Sequence, residues 1–125
     1  MPISITYDAE SDLIAMTFKG TINPPMAIEI VHSVAAIANE HDCFRVLSDF
    51  REASVALSLA DIYDLPKIVA DVFSAAGLQV HKYKRGLVVM KDMDEYTFFE
   101  TTSRNRGQNV MLFRSIEKAK AWLAE

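Results

Sequence analysis

Two apolar runs in the last third of the chain constrain the fold more than any other feature. Residues 86–90 (Gly-Leu-Val-Val-Met) and 109–113 (Asn-Val-Met-Leu-Phe) are nearly continuous in hydrophobic side chains and do not alternate with polar ones. A strand with this pattern is expected to be buried on both faces, as in a parallel sheet covered by helices. A polar-capped helix between the runs and a short helix after the second run predict β-α-β-α for this part.

The first part of the chain predicts a hairpin followed by a helix. Hydrophobic and polar residues alternate over residues 3–8, a second strand-like run covers 13–18, and a polar turn separates the two. Gly20 is expected to end the second strand or to form a bulge in it. Asn23 has the position of a helix N-cap before two prolines, and apolar residues then recur at helical spacing.

The middle of the chain predicts a third strand and a second helix. The strand is expected over residues 44–50, and the polar residues 51–54 are expected to form a loop that ends it. Ser58, with an acidic residue three positions later, has the form of a capping box. Pro66 lies inside the helical pattern, where a proline costs about 3 kcal/mol, so we predict a kink or a helix that restarts near Asp64.

The third helix is expected between the fourth and fifth strands. Asp92 or Asp94 is predicted to cap its start, and Gly107 is predicted to follow its end. Glu100 and Arg104 are four positions apart, which is the spacing of a favourable ion pair on a helix surface.

The predicted order is therefore β-β-α-β-α-β-α-β-α. It corresponds to an α/β fold with a five-stranded mixed sheet, in which an N-terminal antiparallel hairpin precedes parallel strands, and with about four helices. The length of 125 residues predicts one domain that covers residues 1–125.

Composition favours a soluble cytoplasmic protein. Cys43 is the only cysteine, which is typical of a reducing compartment, and the N-terminus lacks the pattern of a signal peptide. The net charge of −4 argues against general nucleic-acid binding. The charge is uneven, because residues 1–80 carry four basic against eleven acidic side chains and residues 81–125 carry nine against six. The basic end of the chain could therefore hold a local anion site.

Three segments, together with the element order, resemble the SpoIIAA-like family of STAS-type domains, whose superfamily includes Sec14-type lipid-binding domains. They are Val46-Leu47-Ser48-Asp49-Phe50-Arg51, Arg85-Gly86-Leu87-Val88-Val89, and the stretch from Phe98-Phe99-Glu100-Thr101 through Asn105-Arg106-Gly107 to Ala121-Trp122-Leu123. The resemblance covers essentially the whole chain. It implies the SpoIIAA-like fold and a regulatory module rather than an enzyme.

The resemblance also indicates a candidate regulatory phosphosite. STAS antagonists carry a regulatory serine at the start of the helix after the third strand, and Ser58 matches that position. The Asp and Gly that flank the serine in the family pattern are absent here. The alternative interpretation of Ser58 is a plain helix N-cap.

Basic and aromatic residues of the second half suggest a second candidate site. Arg85, Arg104 and Arg106 could form a basic rim that binds an acidic partner or a phosphate head group. Tyr63 and Phe99 could line a groove between the second and third helices. The alternatives are solvated bases, favourably placed at a strand entrance and a helix C-terminus, and aromatic residues of the core or of a dimer contact.

The remaining reactive residues form no recognisable catalytic or metal site. His32, His41 and His81 lie on three different elements without metal-ligand spacing, and Cys43 has no neighbouring base in the sequence. The second helix carries three aspartates, which are expected to form a solvated face. No cofactor and no enzymatic activity are therefore predicted.

These observations favour a non-enzymatic regulatory or protein-interaction module that presents residues 51–64 to a protein partner. A homodimer is expected from the surplus of apolar residues on the helices. The alternative is a small carrier or sensor of an apolar or lipid-like ligand, bound between the second and third helices.

Overall fold

The computed structural model describes residues 3–90 and 94–125, and its strands and helices follow the predicted order. The elements are β1 (Ile3–Asp8), β2 (Leu13–Ile22), α1 (Pro24–His41), β3 (Arg45–Val55), α2 (Leu59–Ala75), β4 (Lys84–Val88), α3 (Asp94–Asn105), β5 (Asn109–Phe113) and α4 (Ile116–Ala124). A short 3-10 helix, Val80–Lys82, precedes β4.

The strands form one mixed sheet whose spatial order is the same as their order in the sequence. β1 and β2 are antiparallel, and every later pair is parallel, as predicted. The connections between successive parallel strands have the same handedness, so α1, α2 and α3 lie on one face of the sheet. α4 packs on the opposite face. Within the described ranges, no helix is long and apolar enough to span a membrane.

Side-chain caps begin α1 and α2 at the predicted residues. Asn23 Oδ1 accepts a hydrogen bond from the backbone N–H of Met26 at 3.0 Å. Ser58 Oγ accepts from the N–H of Asp61 at 3.1 Å, and Asp61 Oδ2 accepts in return from the N–H of Ser58 at 3.0 Å. Each cap contributes about 1 kcal/mol by satisfying backbone donors that have no partner within the helix.

The prediction that residues 51–54 form a loop is wrong, because β3 continues through them to Val55. The cause is non-local. β2 also continues past Gly20, which has a φ of +80°, after a register shift between Thr17 and Lys19. The extended part of β2 supplies a partner strand for this polar stretch, so its backbone is paired while the side chains of Arg51, Glu52 and Ser54 remain exposed.

The prediction that α2 restarts near Asp64 is also wrong, since the helix is continuous from Leu59 to Ala75 with Pro66 inside it. Pro66 is buried, and its carbonyl oxygen accepts a hydrogen bond from Gln108 Nε2 at 2.7 Å. Packing and this tertiary hydrogen bond offset the cost of the proline.

α3 begins at Asp94, and Asp92, the other predicted cap, lies outside the described residues. Gly107 follows the helix with a φ of +78°, and its N–H donates to the carbonyl of Arg104 at 3.0 Å. The predicted stop at Gly107 is therefore confirmed, because glycine adopts this left-handed conformation without steric cost.

The predicted ion pair between Glu100 and Arg104 is not formed, because both side chains bind the backbone of β5 instead. Glu100 Oε2 accepts from the N–H of Leu112 at 2.7 Å, and Arg104 Nε donates to the carbonyl of Val110 at 2.8 Å. β5 is an edge strand, so these backbone groups have no neighbouring strand to pair with.

The two apolar runs differ in burial. In the first run, residues 86–89 are buried, as predicted for a central strand covered on both faces. In β5 only Val110 is buried and the other residues are half-buried, so the prediction of burial on both faces is wrong for this strand. Its position at the sheet edge is the physical reason.

Candidate functional site

A cavity of about 130 Å³ lies between the sheet and the three helices that share its face. The lining comes from β2, β3 and β4 on one side and from α1, α2 and α3 on the other, and it is almost entirely apolar. The apolar lining residues include Phe18, Val31, Phe50, Ile62, Leu87 and Phe99. Ser48, Arg85, Glu95 and Tyr96 are the lining residues that carry polar groups.

Arg85 is the only basic side chain among the described lining residues. It is the second residue of β4, and strand alternation places it on the cavity face with Leu87, while Val88 faces α4. Although some surface of the residue remains accessible, burial lowers the pKa of its guanidinium to about 10. The group therefore remains a cation at neutral pH.

Two contacts hold the guanidinium in place. Arg85 Nη2 donates to Gln108 Oε1 at 2.5 Å, and the Arg85 Cζ atom lies 5.8 Å from the centre of the Phe99 ring. Gln108, the residue before β5, is itself buried and donates to the Pro66 carbonyl, so it connects Arg85 of β4 to α2. Because both the oxygen and the nitrogen of the Gln108 amide are hydrogen-bonded, this side chain restricts the positions of the Arg85 guanidinium and the Pro66 carbonyl.

The structure brings together only some of the residues predicted for this site. Arg85 and Phe99 both line the cavity. Arg104 is occupied by the Val110 carbonyl, and Arg106 lies beside Tyr63 with 5.9 Å between Cζ and the ring centre. Tyr63, Arg104 and Arg106 are not among the lining residues, so the three arginines do not surround one opening.

The basic run at residues 81–85 is also divided between two faces of the sheet. Lys84 Nζ donates to the carbonyl oxygens of Trp122 and Glu125 near α4, at 2.9 and 3.3 Å. Arg85 faces the cavity on the other side of the sheet. This separation follows from strand alternation, because adjacent residues of a strand point to opposite faces.

Sequence reasoning missed three polar residues of this site. Ser48 is buried in β3, Glu95 lies in the first turn of α3, and Gln108 precedes β5. None of them belongs to a recognisable motif. Ser48 did not stand out in the sequence because it is followed by further polar residues of β3.

The start of α2 forms an exposed surface, which we call the α2 surface and define as Ser58, Leu59 and Tyr63. Leu59 and Tyr63 are 59% and 54% exposed, and they are four positions apart on one side of the helix. Ser58 is also exposed, although its hydroxyl oxygen is engaged in the capping box. Large apolar side chains exposed next to one another are typical of interaction sites.

Other reactive side chains have structural environments. Cys43 is completely buried, and burial raises the pKa of its thiol, which disfavours the nucleophilic thiolate. His41 stacks on Tyr7 with 3.9 Å between ring centres. Within residues 3–90 and 94–125, no group of three histidine, cysteine or acidic side chains is placed to hold a metal ion.

Several solved structures share this architecture over nearly their whole length. An uncharacterised DUF3478-family protein from Shewanella loihica PV-4, with a SpoIIAA-like fold, has a TM-score of 0.61 and 17% identity, over 97% of this chain and 93% of that one. An anti-sigma factor antagonist from Mycobacterium paratuberculosis has a TM-score of 0.60 and 10% identity, over 98% and 95%. The anti-sigma factor antagonist SpoIIAA, unphosphorylated, has a TM-score of 0.56 and 11% identity, over 96% of each chain.

The chain has the SpoIIAA-like fold. The resemblance seen in the sequence is therefore confirmed at the level of the fold. The sequence matches no protein-family model and no curated protein.

Proposed function

We propose that the chain is a non-enzymatic regulatory module of the STAS type, which binds a protein partner through residues 51–64. The observation that carries this proposal is the α2 surface on a SpoIIAA-like fold, since two of the similar structures are anti-sigma factor antagonists. Leu59 and Tyr63 would supply the apolar contact, because exposed aromatic and aliphatic side chains form the centre of most protein interfaces.

Charges around the α2 surface would provide its specificity. Asp61 and Asp64 lie within the same two turns of α2, and Arg106 stands against the Tyr63 ring. The surface therefore offers an apolar centre with both signs of charge around it, which is the usual arrangement of a transient interface.

Ser58 is the proposed regulatory site of this surface. Its side chain is exposed at a helix N-terminus, where free N–H groups and the helix dipole favour an anion. SpoIIAA itself is represented in an unphosphorylated and a phosphorylated form. A phosphate on Ser58 would repel the Asp61 carboxylate from the cap and so change the charge beside Leu59.

Intact-mass analysis of the protein purified from its native cells tests the regulatory role of Ser58. The proposal predicts a fraction that carries one phosphate, mapped to Ser58 by fragmentation. A protein that is never phosphorylated under any growth condition, or is phosphorylated only elsewhere, would overturn the role of Ser58 but not the partner-binding proposal.

Affinity capture with matched variants tests the binding surface. The wild-type protein, the double variant Leu59→Arg/Tyr63→Arg and the control Ile28→Arg would each be immobilised and incubated with extract of native cells. Ile28 is 40% exposed and lies on α1, so it controls for the loss of an exposed apolar side chain elsewhere. The proposal predicts a protein that wild type and control retain equally and the double variant retains at least tenfold less. If no protein has this dependence, the proposal fails.

A homodimer is proposed as the assembly state. Phe44, which is 39% exposed, adds apolar area outside the α2 surface that a second copy could cover. Light scattering during size-exclusion chromatography at several concentrations would give either twice the monomer mass or the monomer mass alone.

The cavity favours a second function, in which the chain carries or senses a small apolar ligand. A space of about 130 Å³ with an apolar lining stabilises such a ligand by removing its surface from water. Native mass spectrometry of gently purified protein, compared with its denatured mass, tests this function. Excess mass that is lost on denaturation is expected, and its absence together with no binding of added apolar probes would contradict the carrier function.

A further inference from the structure

Arg85 is a partly buried cation with few partners among the described residues, and an ordinary apolar core does not explain a charge at this cavity. Within the described residues it makes one side-chain hydrogen bond, to Gln108, and takes part in no salt bridge. A guanidinium has five N–H donors, so most of them lack an acceptor within residues 3–90 and 94–125. Burying a charge without a counter-ion is costly, and proteins usually satisfy such a group with an opposite charge.

We propose that the cavity binds an apolar monocarboxylate, whose carboxylate group pairs with the guanidinium of Arg85 and whose hydrocarbon part occupies the space between the sheet and α1–α3. This inference rests on the proposed carrier or sensor function and names its ligand class. The planar guanidinium offers parallel N–H groups that match the two oxygens of a carboxylate, which a neutral ligand would leave unbonded.

The charges of the lining favour a single negative charge on the ligand. Arg85 is the only basic residue among the described lining residues, and Glu95 is an acidic residue of the same lining. The single positive charge of Arg85 can neutralise a carboxylate. It cannot neutralise a phosphate with nearly two negative charges, which the acidic Glu95 would also repel. Ser48 adds a neutral hydroxyl to the same lining.

The dimensions of the cavity limit the length of the hydrocarbon part. An apolar cavity of about 150 Å³ in an engineered protein holds benzene, so a space of about 130 Å³ suits a hydrocarbon part of about six carbon atoms. Phe99 lies next to the Arg85 guanidinium and also lines the cavity, so the apolar lining begins directly beside the charge. An amphiphilic molecule with a charge at one end only fits this arrangement, in which a cation lies directly beside apolar walls.

Calorimetric titration with octanoate and 1-octanol tests the proposal on the intact chain. The two probes have the same hydrocarbon chain and differ in the charged group. Three proteins would be compared: wild type, Arg85→Met, and the control Arg106→Met, which removes an exposed arginine outside the cavity lining. Wild type and control are expected to bind octanoate at least tenfold more tightly than 1-octanol. Arg85→Met is expected to lose this preference while its affinity for 1-octanol stays within about threefold of wild type, as expected for a site that keeps its apolar walls.

The possible outcomes distinguish a failure of the proposed ligand class from a failure of the carrier function. Equal affinity of wild type for both probes would overturn the role of Arg85 and leave an apolar carrier. No binding of either probe would overturn the carrier function and this inference together. If Arg85→Met does not fold, the comparison of the two probes on wild type still tests whether the site prefers a carboxylate. Octanoate labelled with ¹³C at the carboxyl group adds a second measurement, the titration of the bound carboxylate. A bound carboxylate paired with Arg85 should titrate at a lower pH than the free acid, and an unchanged or higher titration midpoint would contradict the pairing.

Discussion

The carboxylate of Glu100 accepts a hydrogen bond from the backbone N–H of Leu112, with 2.7 Å between Oε2 and N. The side chain of a helix thus takes the place of the neighbouring strand that β5 lacks. Arg104, one turn later on α3, binds the carbonyl of Val110 at 2.8 Å. Together the two contacts fasten α3 to the sheet edge and satisfy backbone groups that an edge strand otherwise leaves open to another chain.

Replacement of Glu100 should therefore cost more than a surface helix substitution normally does. Glu100→Ala is expected to lower the free energy of unfolding by about 1.5–3 kcal/mol, because it removes a hydrogen bond to a charged acceptor. Urea denaturation measures the change. Glu29→Ala, at an exposed position of α1, should stay within about 0.5 kcal/mol of wild type. Equal small effects of both variants would contradict the role given to Glu100.

Gln108 and Arg85 should behave as a coupled pair. Gln108→Leu removes the acceptor of the Arg85 guanidinium and the donor to Pro66, so a loss of about 1–3 kcal/mol is expected. Arg85→Met removes the charge that Gln108 satisfies, so the double variant should lose less than the sum of the two single losses by about 1 kcal/mol or more. A double-mutant cycle by urea denaturation measures this coupling, and strict additivity would show that the two residues act independently.

The Asp49–Arg51 pair should make stability depend on pH in the acidic range. Arg51 donates to both carboxylate oxygens, at 3.0 and 2.9 Å, and these hydrogen bonds lower the pKa of Asp49. A lowered pKa in the folded state stabilises the protein above the ordinary aspartate value of about 4. That contribution is lost as the pH falls through the lowered folded-state pKa.

Asp49→Asn should therefore destabilise the protein at pH 7, by about 1 kcal/mol or less for a partly exposed pair. The difference between wild type and variant should shrink as the pH is lowered below 4. Arg51→Gln is the matched variant and should show the same trend. Urea denaturation at a series of pH values measures both, and a difference that stays constant with pH would contradict the assignment.

Two glycines should respond in opposite ways to alanine. Gly77 has a φ of +80°, a conformation unfavourable for alanine, so Gly77→Ala is expected to cost about 1 kcal/mol. An added Cβ at Gly86 would lie 3.5 Å from a Phe113 ring carbon and 3.6 Å from a Leu123 methyl group, which are ordinary contacts. Gly86→Ala should therefore be neutral or stabilising by up to about 1 kcal/mol. Thermal unfolding of the two variants measures both changes, and a larger loss for Gly86→Ala would contradict this account.

The parts of the fold that depend on local signals could be predicted from the sequence. The order of elements, the caps at Asn23 and Ser58 and the helix stop at Gly107 follow from the hydrophobic pattern and from cap chemistry. The continuation of β3 through residues 51–54 could not be predicted in this way. It depends on the matching extension of β2, which lies about thirty residues earlier in the chain.

The same distinction applies to the candidate site. Glu100 and Arg104 have ideal spacing for an ion pair, but unpaired backbone groups of the edge strand β5 bind both side chains instead. The sequence does not show that β5 lies at the edge of the sheet beside α3. Arg85 and Phe99 could be named from the sequence, whereas their bonded neighbour Gln108 belongs to no motif. Tyr63 and Arg106 are predicted to share a site with Arg85 and Phe99, but they contact each other and do not line the cavity.

Site-specific photo-crosslinking in native cells tests the central claim, partner binding through the α2 surface, most directly. A photoreactive phenylalanine analogue would replace Tyr63 in one variant and Ile28 in a control, since both positions are exposed. The account predicts a discrete adduct with one other protein from position 63 and none from position 28. The same adducts from both positions, or none from position 63, would contradict it.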